Sequence, residues 1–155
     1  MSATEGQPAP ALDLPTDGGG RVSLDALKGK PAVVYFYPKD DTTGCTREAQ
    51  DFTGLAAEFA AIDVPVIGVS KDTVKKHDRF KAKYDLSVIL ASDEDGAACQ
   101  AWGVWVEKTL YGRQYMGIER ATFLIDADGR IARAWRKVKV ADHAAQVLAA
   151  TRALS

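Results

Sequence analysis

Hydrophobic and polar positions fall into blocks along this chain, with a sharp boundary between residues 37 and 45. Residues 32–37 are a nearly continuous apolar run, rich in β-branched and aromatic side chains, which is typical of a strand buried on both faces. Pro38 ends the run. After Cys45, apolar residues recur at steps of three and four, namely Phe52, Leu55, Phe59 and Ile62. The pattern predicts a strand followed by a helix with Cys45 in its first turn.

The rest of the chain alternates between strand and helix patterns. Strand patterns cover 12–14, 21–23, 64–70, 88–90, 118–126 and 130–138, and helix patterns cover 24–27, 72–84, 97–102 and the C-terminal end. Residues 1–11 are expected to form an irregular arm, and residues 105–116 a loop that packs over the domain. This order predicts an α/β fold with a mixed sheet, since the last two long strands read as a hairpin. Periodicity alone does not separate a thioredoxin-like from a flavodoxin-like sheet.

Several polar residues are of types that occur in catalytic or metal sites, but their positions in the sequence favour structural roles. His77 lies near the apolar stripe of its helix, where a packed or half-exposed histidine is expected, and Asp72 is expected to cap that helix. The acidic residues 92–96 lack the alternating ligands of a calcium loop and are predicted to cap the next helix. In the last helix, His143 is expected to face solvent. The predicted buried side of that helix comprises Ala144, Leu148, Thr151 and Leu154.

Length and composition favour a single soluble domain spanning 1–155. Hydrophobic residues make up 46% and charged residues 26% of 155 residues, with a formal net charge of −1. Neither nucleic acid nor a membrane is expected as a partner, and the absence of a leader-like segment predicts a cytoplasmic protein. No cofactor or metal is expected. The two cysteines, 45 and 99, form no C-x-x-C pair and are too few for a secreted disulfide scaffold.

Cys45 has two possible roles on its local sequence alone. Free backbone N–H groups and the positive end of the dipole at a helix N-terminus favour a thiolate, which is the nucleophilic form of cysteine. A small, buried and inert cysteine is nevertheless common in folded proteins. The neighbouring residues decide between a reactive cysteine and an inert one.

Pro38, Thr42 and Cys45 form the pattern P-x-x-x-T-x-x-C, followed by Thr46 and Glu48 as C-T-x-E. This resembles the peroxidatic signature of the peroxiredoxins, in particular the bacterioferritin comigratory protein group, also called peroxiredoxin Q. Residues 105–131 and the run that begins at residue 135 resemble the same group. The resemblance spans nearly the whole chain. It implies a thioredoxin-like fold, a central mixed sheet flanked by helices, with an N-terminal β-hairpin extension.

The resemblance also implies an activity and a set of site residues. Cys45 would attack hydrogen peroxide or an organic hydroperoxide and become a sulfenic acid. Thr42 would place a hydroxyl beside the sulfur and the peroxide, and Arg120 would pair with both; Arg47 is the competitor nearest in sequence. Glu48 would hold the arginine by a bidentate pair, although a glutamate near a helix N-terminus also has the purely structural role of meeting the helix dipole. Pro38 would shield the sulfur from water.

The sulfenic acid needs a second thiol, and here the chain departs from its group. Gln50 stands where a resolving cysteine often lies, so only Cys99 remains within the chain. A buried structural Cys99 is expected, and therefore resolution by an external thiol such as thioredoxin or glutathione with glutaredoxin. The alternative is a two-cysteine enzyme resolved by Cys99. A monomer or weak homodimer is expected.

Two other classes of protein share the expected scaffold. A non-enzymatic thioredoxin-fold holdase would have an unreactive Cys45. A thiol-disulfide oxidoreductase is disfavoured because the chain has no C-x-x-C motif.

Overall fold

The fold is built on a five-stranded mixed sheet. The structure, a computed structural model, describes residues 3–154. These residues form nine strands: β1 (Asp13–Pro15), β2 (Arg21–Ser23), β3 (Ala32–Phe36), β4 (Val66–Ser70), β5 (Ile89–Ser92), β6 (Trp105–Leu110), β7 (Arg113–Ile118), β8 (Ala121–Ile125) and β9 (Ile131–Trp135). The central sheet has the order β5-β4-β3-β8-β9. Strands β3, β4 and β5 are parallel, whereas β8 is antiparallel to β3 and to β9, so the predicted mixed sheet is confirmed.

Helices cover both faces of this sheet. They are α1 (Leu24–Leu27), α2 (Thr43–Gly54), α3 (Ala56–Ala61), α4 (Val74–Tyr84), α5 (Ala97–Ala101) and α6 (His143–Arg152). None of the helices within residues 3–154 is long and apolar enough to cross a membrane. Strand β3 is buried along its whole length, as predicted. Its side chains alternate between two apolar cores, one under α2, α3, α4 and α6, and one under α5 and the N-terminal hairpin β1–β2.

The N-terminal residues run along both outer edges of the central sheet. Beside β9, the Gly6 N–H donates to Ile131 O at 2.8 Å and the Ile131 N–H donates to Gln7 O at 2.9 Å. Beside β5, Thr16 forms an isolated antiparallel bridge with Ala91. The irregular arm predicted over 1–11 is therefore hydrogen-bonded to the sheet over its described residues.

The helix predicted from Cys45 onward is interrupted. Leu55 leaves helical geometry, with φ −104° and ψ 10°, and separates α2 from α3. Phe52 and Phe59 are buried in the same core despite the break, as predicted. The α2–α3 pair thus covers the same face that one continuous helix was expected to cover.

One of the two helix-cap predictions needs correction. The N-cap of α4 is Thr73, whose hydroxyl accepts from the Lys76 N–H at 3.1 Å, and not Asp72. Asp72 is buried, and its carboxylate accepts from other partners described below. The acidic residues before α5 do cap that helix as predicted, since the Asp93 carboxylate accepts from the Cys99 N–H at 2.8 Å.

The predicted pattern of α6 is wrong at its two ends. His143 is buried rather than solvent-facing, because its Nε2 lies 2.8 Å from the Thr122 hydroxyl and its ring packs edge-on against Phe52 and Trp135. Leu154 lies beyond the end of α6 and is 40% exposed. The other three predicted positions, Ala144, Leu148 and Thr151, are buried.

The predicted loop over 105–116 is a β-hairpin. Strands β6 and β7 pair antiparallel in a sheet of their own. Tyr111 and Gly112 connect them, both with positive φ, at 51° and 76°. Such a two-residue turn with positive φ at both positions matches the twist of the strands that it joins. The hairpin brings Trp105 and Lys108 over the region that follows β3.

Candidate active site

Cys45 lies at the junction of β3 and α2, as the sequence predicts. Residues 38–42, here called the 38–42 loop, connect the end of β3 to Thr43, the first residue of α2. Thr42 has an extended backbone, and its carbonyl accepts from the Thr46 N–H at 2.8 Å, which closes the first turn. Cys45 is the third residue of α2 and is only 1% exposed. It therefore lies in the first turn, where backbone N–H groups have no partner within the helix.

Arg120 contacts the sulfur directly. It precedes β8, and its Nη2 is 3.4 Å from Cys45 Sγ, while its Nη1 donates to Glu48 Oε1 at 2.7 Å. Because Glu48 follows Cys45 by almost one helical turn, one guanidinium spans both side chains. Arg47 projects away from this site, with its side chain 65% exposed and its nearest carboxylate at 4.0 Å. Of the two arginines considered from the sequence, Arg120 is therefore the one next to Cys45.

Burial and charge act in opposite directions on this trio. Burial raises the pKa of Glu48 to about 7, although the Arg120 cation opposes the rise. Burial also disfavours the guanidinium, but the negative charges of Glu48 and Cys45 raise the pKa of Arg120 overall. The bidentate pair predicted for Glu48 is wrong, because Arg120 bonds only Oε1 and the second carboxylate oxygen, Oε2, is buried without a hydrogen-bond partner among the described residues. The Arg120 cation is thus held beside the sulfur by a carboxylate that burial makes costly to ionise.

The raised pKa of Glu48 predicts an unusual dependence of stability on pH. A carboxyl whose pKa is higher in the folded state binds its proton more tightly there, so its contribution favours folding below pH 4.5 and is lost as the pH rises through about 7. From the two pKa values, Glu48 should lower the free energy of unfolding by roughly 2–3 kcal/mol between pH 5 and pH 8. Urea unfolding of wild type and Glu48→Gln across this range measures the difference in slope.

The matched control for this measurement is Glu107→Gln, which changes an exposed glutamate in the same way. We expect its stability to follow the wild-type curve, whereas the Glu48→Gln curve should fall less as the pH rises. Parallel curves for wild type and Glu48→Gln would contradict the raised pKa.

Thr42 and Pro38 lie on the outer side of the site. Both residues are exposed. The Thr42 hydroxyl donates to Lys39 O at 2.8 Å, which leaves its oxygen lone pairs free to accept a hydrogen bond. Pro38 lines an open cleft of about 470 Å³, whose opposite wall includes Lys108 and Tyr115. The shielding role predicted for Pro38 stays a prediction.

Lys108 is a second cation in this region that the sequence did not single out. It projects from β6, and burial together with the nearby Arg120 cation lowers its pKa. Its position depends on the β6–β7 hairpin that was predicted as a loop. The available signal for that hairpin was the Tyr111-Gly112 pair, whose glycine stands between two runs that contain β-branched and aromatic residues.

Cys99 is far from the site in the layered structure. It is fully buried in the core that contains Val34 and Phe36, whereas Cys45 belongs to the core that contains Val33 and Tyr35. Because side chains alternate along β3, these two cores lie on opposite faces of the sheet. Burial, reinforced by the hydrogen bond with Asp93, raises the pKa of the Cys99 thiol. Both observations agree with the expected structural role of Cys99.

A family model described as AhpC/TSA family matches residues 5–134. The chain belongs to the AhpC/TSA family. Over 148 residues it is 51% identical to the putative peroxiredoxin bcp of Coxiella burnetii, covering 96% of this chain and 98% of that protein. It is 49% identical to peroxiredoxin Bcp of Bacillus subtilis, covering 96% and 94% of the two chains. The resemblance to the bacterioferritin comigratory protein group is therefore confirmed, and so is the predicted thiol-dependent peroxidase.

Solved structures lead to the same family. The chain superimposes on a mutant of Xanthomonas campestris peroxiredoxin Q with a TM-score of 0.91 and 47% sequence identity, over 100% of both chains. A second structure, of the Xanthomonas campestris bacterioferritin comigratory protein, gives a TM-score of 0.90 at 47% identity over 99% of both chains and was described for its alkyl peroxide reduction activity. The predicted thioredoxin-like fold is confirmed by these neighbours.

Proposed function

We propose that Cys45 is the peroxidatic nucleophile of this thiol-dependent peroxidase, with Arg120, Thr42, Glu48 and Pro38 as the residues that shape its site. The contact of 3.4 Å between Arg120 Nη2 and Cys45 Sγ carries the proposal, since it joins a reactive thiol to a fixed cation. Glu48 fixes that cation by its hydrogen bond of 2.7 Å. The arrangement stabilises negative charge where the chemistry needs it.

The reaction follows from these positions. The Cys45 thiolate attacks the terminal oxygen of R–O–O–H, the O–O bond breaks, and the sulfur becomes a sulfenic acid while RO⁻ leaves and takes a proton from water. Negative charge moves from sulfur to the leaving oxygen, and the Arg120 guanidinium can stabilise it at both positions. The Thr42 oxygen can accept a hydrogen bond from the peroxide and orient it for attack.

Mass spectrometry of the intact protein after stoichiometric hydrogen peroxide tests this assignment. In the presence of dimedone, which reacts with sulfenic acids, we expect one adduct that maps to Cys45 and none at Cys99. An unlabelled, unoxidised Cys45 with peroxide left unconsumed would favour the holdase alternative instead.

An external thiol is proposed to complete the cycle. It attacks the sulfenic sulfur, releases water and forms a mixed disulfide, which a second thiol then reduces. Thioredoxin or glutathione with glutaredoxin are the reductant classes that we propose. Four lysines line the cleft beside the 38–42 loop, namely Lys39, Lys71, Lys76 and Lys108. This excess of positive charge favours a reductant that carries carboxylates, such as glutathione.

Cys99→Ser is expected to retain turnover with an external thiol system. A disulfide needs Cα atoms within about 7 Å, whereas Cys45 and Cys99 belong to cores on opposite faces of the sheet. Steady-state peroxide consumption measures the effect, and Cys99→Ala provides a second variant because a serine hydroxyl in that apolar core can destabilise the fold. An intramolecular Cys45–Cys99 disulfide in peptide maps of the oxidised wild type, with loss of turnover in both variants, would make the protein a two-cysteine enzyme.

A further inference from the structure

A buried polar cluster lies beneath the 38–42 loop, outside the contacts of the cysteine itself. His77 of α4 has no exposed surface. Its Nδ1 is 2.6 Å from Asp40 Oδ2, and its Nε2 is 2.9 Å from Ala91 O. Asp40 belongs to the 38–42 loop and Ala91 to β5. One imidazole ring therefore links the loop before Cys45 to a strand of the central sheet.

Each of the two contacts of the His77 ring is a hydrogen bond, with a proton between its two heavy atoms. A backbone carbonyl only accepts hydrogen bonds, so Nε2 must carry a hydrogen toward Ala91 O. A nitrogen and a carboxylate oxygen at 2.6 Å also need a proton between them, whichever atom holds it, because two bare acceptors repel each other. The His77–Asp40 contact is consequently a charge-assisted or equally short neutral hydrogen bond inside the protein.

Asp40 is also held through its second carboxylate oxygen and its backbone N–H. Its Oδ1 accepts from the Tyr37 hydroxyl at 2.6 Å, and its backbone N–H donates to Asp72 Oδ2 at 2.8 Å. Asp72 is fixed in turn by the Ser70 hydroxyl at 2.7 Å. This network holds Asp40 in place, and His77 supplies the link from Asp40 to α4.

The residues on either side of Asp40 transmit this constraint to the reaction site. Lys39 O, one residue before, accepts the hydrogen bond of the Thr42 hydroxyl. Asp41, one residue after, has φ 58°, an uncommon backbone conformation for a residue other than glycine, and its carboxylate accepts from Lys83 Nζ of α4. A shift of Asp40 would move both Lys39 O and the start of α2, and with them the Thr42 oxygen.

We propose that His77 is a positioning residue of the peroxidase reaction, which through Asp40 holds the 38–42 loop so that Thr42 faces the peroxide at Cys45. This inference rests on the proposed roles of Cys45 and Thr42. The polar contacts of His77 are with Asp40 and Ala91 O, and His77 does not line the cleft beside Pro38. Its effect is on the geometry of the donor and acceptor groups around the peroxide.

A pair of substitutions separates the two contacts of the ring. The side-chain amide of Asn reaches about as far as Nδ1, so His77→Asn keeps a donor toward Asp40; that of Gln reaches about as far as Nε2, so His77→Gln keeps only the donor toward Ala91. Stopped-flow tryptophan fluorescence gives the rate constant of Cys45 with hydrogen peroxide. Alkylation by iodoacetamide gives the reactivity of the same sulfur in a reaction that does not use Thr42.

We expect His77→Gln to lower the peroxide rate constant by about tenfold or more, because small displacements of reacting groups cost that much or more, and His77→Asn to lower it much less. Alkylation should change by less than about twofold in both variants. A folded His77→Gln that keeps the wild-type peroxide rate, with only a lower melting temperature, would overturn the proposal.

Equal losses in alkylation and peroxide reaction would also overturn it, because they would show general damage to the site. If His77→Gln does not fold, Asp40→Asn tests the same contact from the loop side, and the same difference between the two reactions is expected. Failure of the proposed function is a separate outcome, since it would appear in the wild type as a Cys45 that peroxide does not oxidise.

Discussion

Cys45→Ser is expected to abolish peroxide consumption while the fold stays intact. Serine is nearly isosteric with cysteine, and the first turn of α2 keeps its hydrogen bond from the Thr46 N–H to Thr42 O. The hydroxyl of serine is not ionised near neutral pH, so residue 45 would no longer supply an anionic nucleophile to attack the peroxide. Arg120 would then have no anion beside it to stabilise. Peroxide remaining after incubation with a thiol reductant measures the loss.

Two comparisons make this result interpretable. Circular dichroism spectra and thermal unfolding of Cys45→Ser should resemble those of the wild type, and Cys99→Ser should retain peroxide consumption in the same assay. Substantial residual activity in a folded Cys45→Ser protein would show that another group reduces the peroxide and that Cys45 has been misassigned.

Arg120→Ala is expected to slow the oxidation of Cys45 by about 10²- to 10³-fold, the usual effect of removing one donor that stabilises charge in a transition state. The substitution removes the 3.4 Å contact with the sulfur and leaves the buried Glu48 carboxylate without its cation. Rapid-mixing measurements with hydrogen peroxide give the rate constant directly. Arg120→Lys should recover only part of the rate, since an ammonium group cannot contact Sγ and Oε1 with the same planar geometry.

Arg47→Ala is the matched control, because Arg47 lies on the same helix as Cys45 but is exposed to solvent. We expect it to react with peroxide at the wild-type rate. The double variant Arg120→Ala/Glu48→Gln lacks both the arginine and the buried carboxylate that the arginine neutralises. A slow reaction in this variant would therefore show loss of catalysis and not only loss of stability. If Arg120→Ala oxidises as fast as the wild type, the arginine next to the sulfur has no part in the reaction.

The sequence predicted best where burial alone decides the structure. Strand β3 lies between two cores, so its apolar run predicted a strand buried on both faces. Pro38 marked where the run ends. The first turn of α2 followed from the spacing of Phe52 and Phe59. Placement of Cys45 at this junction therefore needed no knowledge of the rest of the chain.

Features that depend on distant contacts were not predicted. His143 has the sequence context of an exposed helix start, but Thr122 and the rings of Phe52 and Trp135 enclose it. The β6–β7 hairpin was missed because its strands are mostly exposed, so their side chains carry little of the hydrophobic pattern that identifies a strand. Asp72 was wrongly predicted to cap α4 because the sequence does not show that its carboxylate accepts from the backbone N–H of Asp40, in the loop after β3.

The candidate site shows the same division. Glu48 and Cys45 are close in sequence, and their neighbourhood on α2 could be read directly. Arg120 is 72 residues from Glu48, and only the resemblance to peroxiredoxins selected it over Arg47. Likewise, no local pattern joins His77 to Asp40, which lies 37 residues earlier. Contacts of this kind are set by how β3, β8 and α4 pack together, which spacing within one element cannot show.

The path of the N-terminal residues along the central sheet has a consequence for solubility. An outer strand normally presents unpaired N–H and C=O groups on which another chain can add a strand, and proteins reduce this risk by covering such edges. Here one continuous segment serves both sides, since Gly6 and Gln7 pair with β9, and Thr16 pairs with β5. The segment before β2 therefore protects the fold against edge-to-edge aggregation at two places. Proteolysis between Gln7 and β1 would expose only the edge at β9, since Thr16 stays attached through the pairing of β1 with β2.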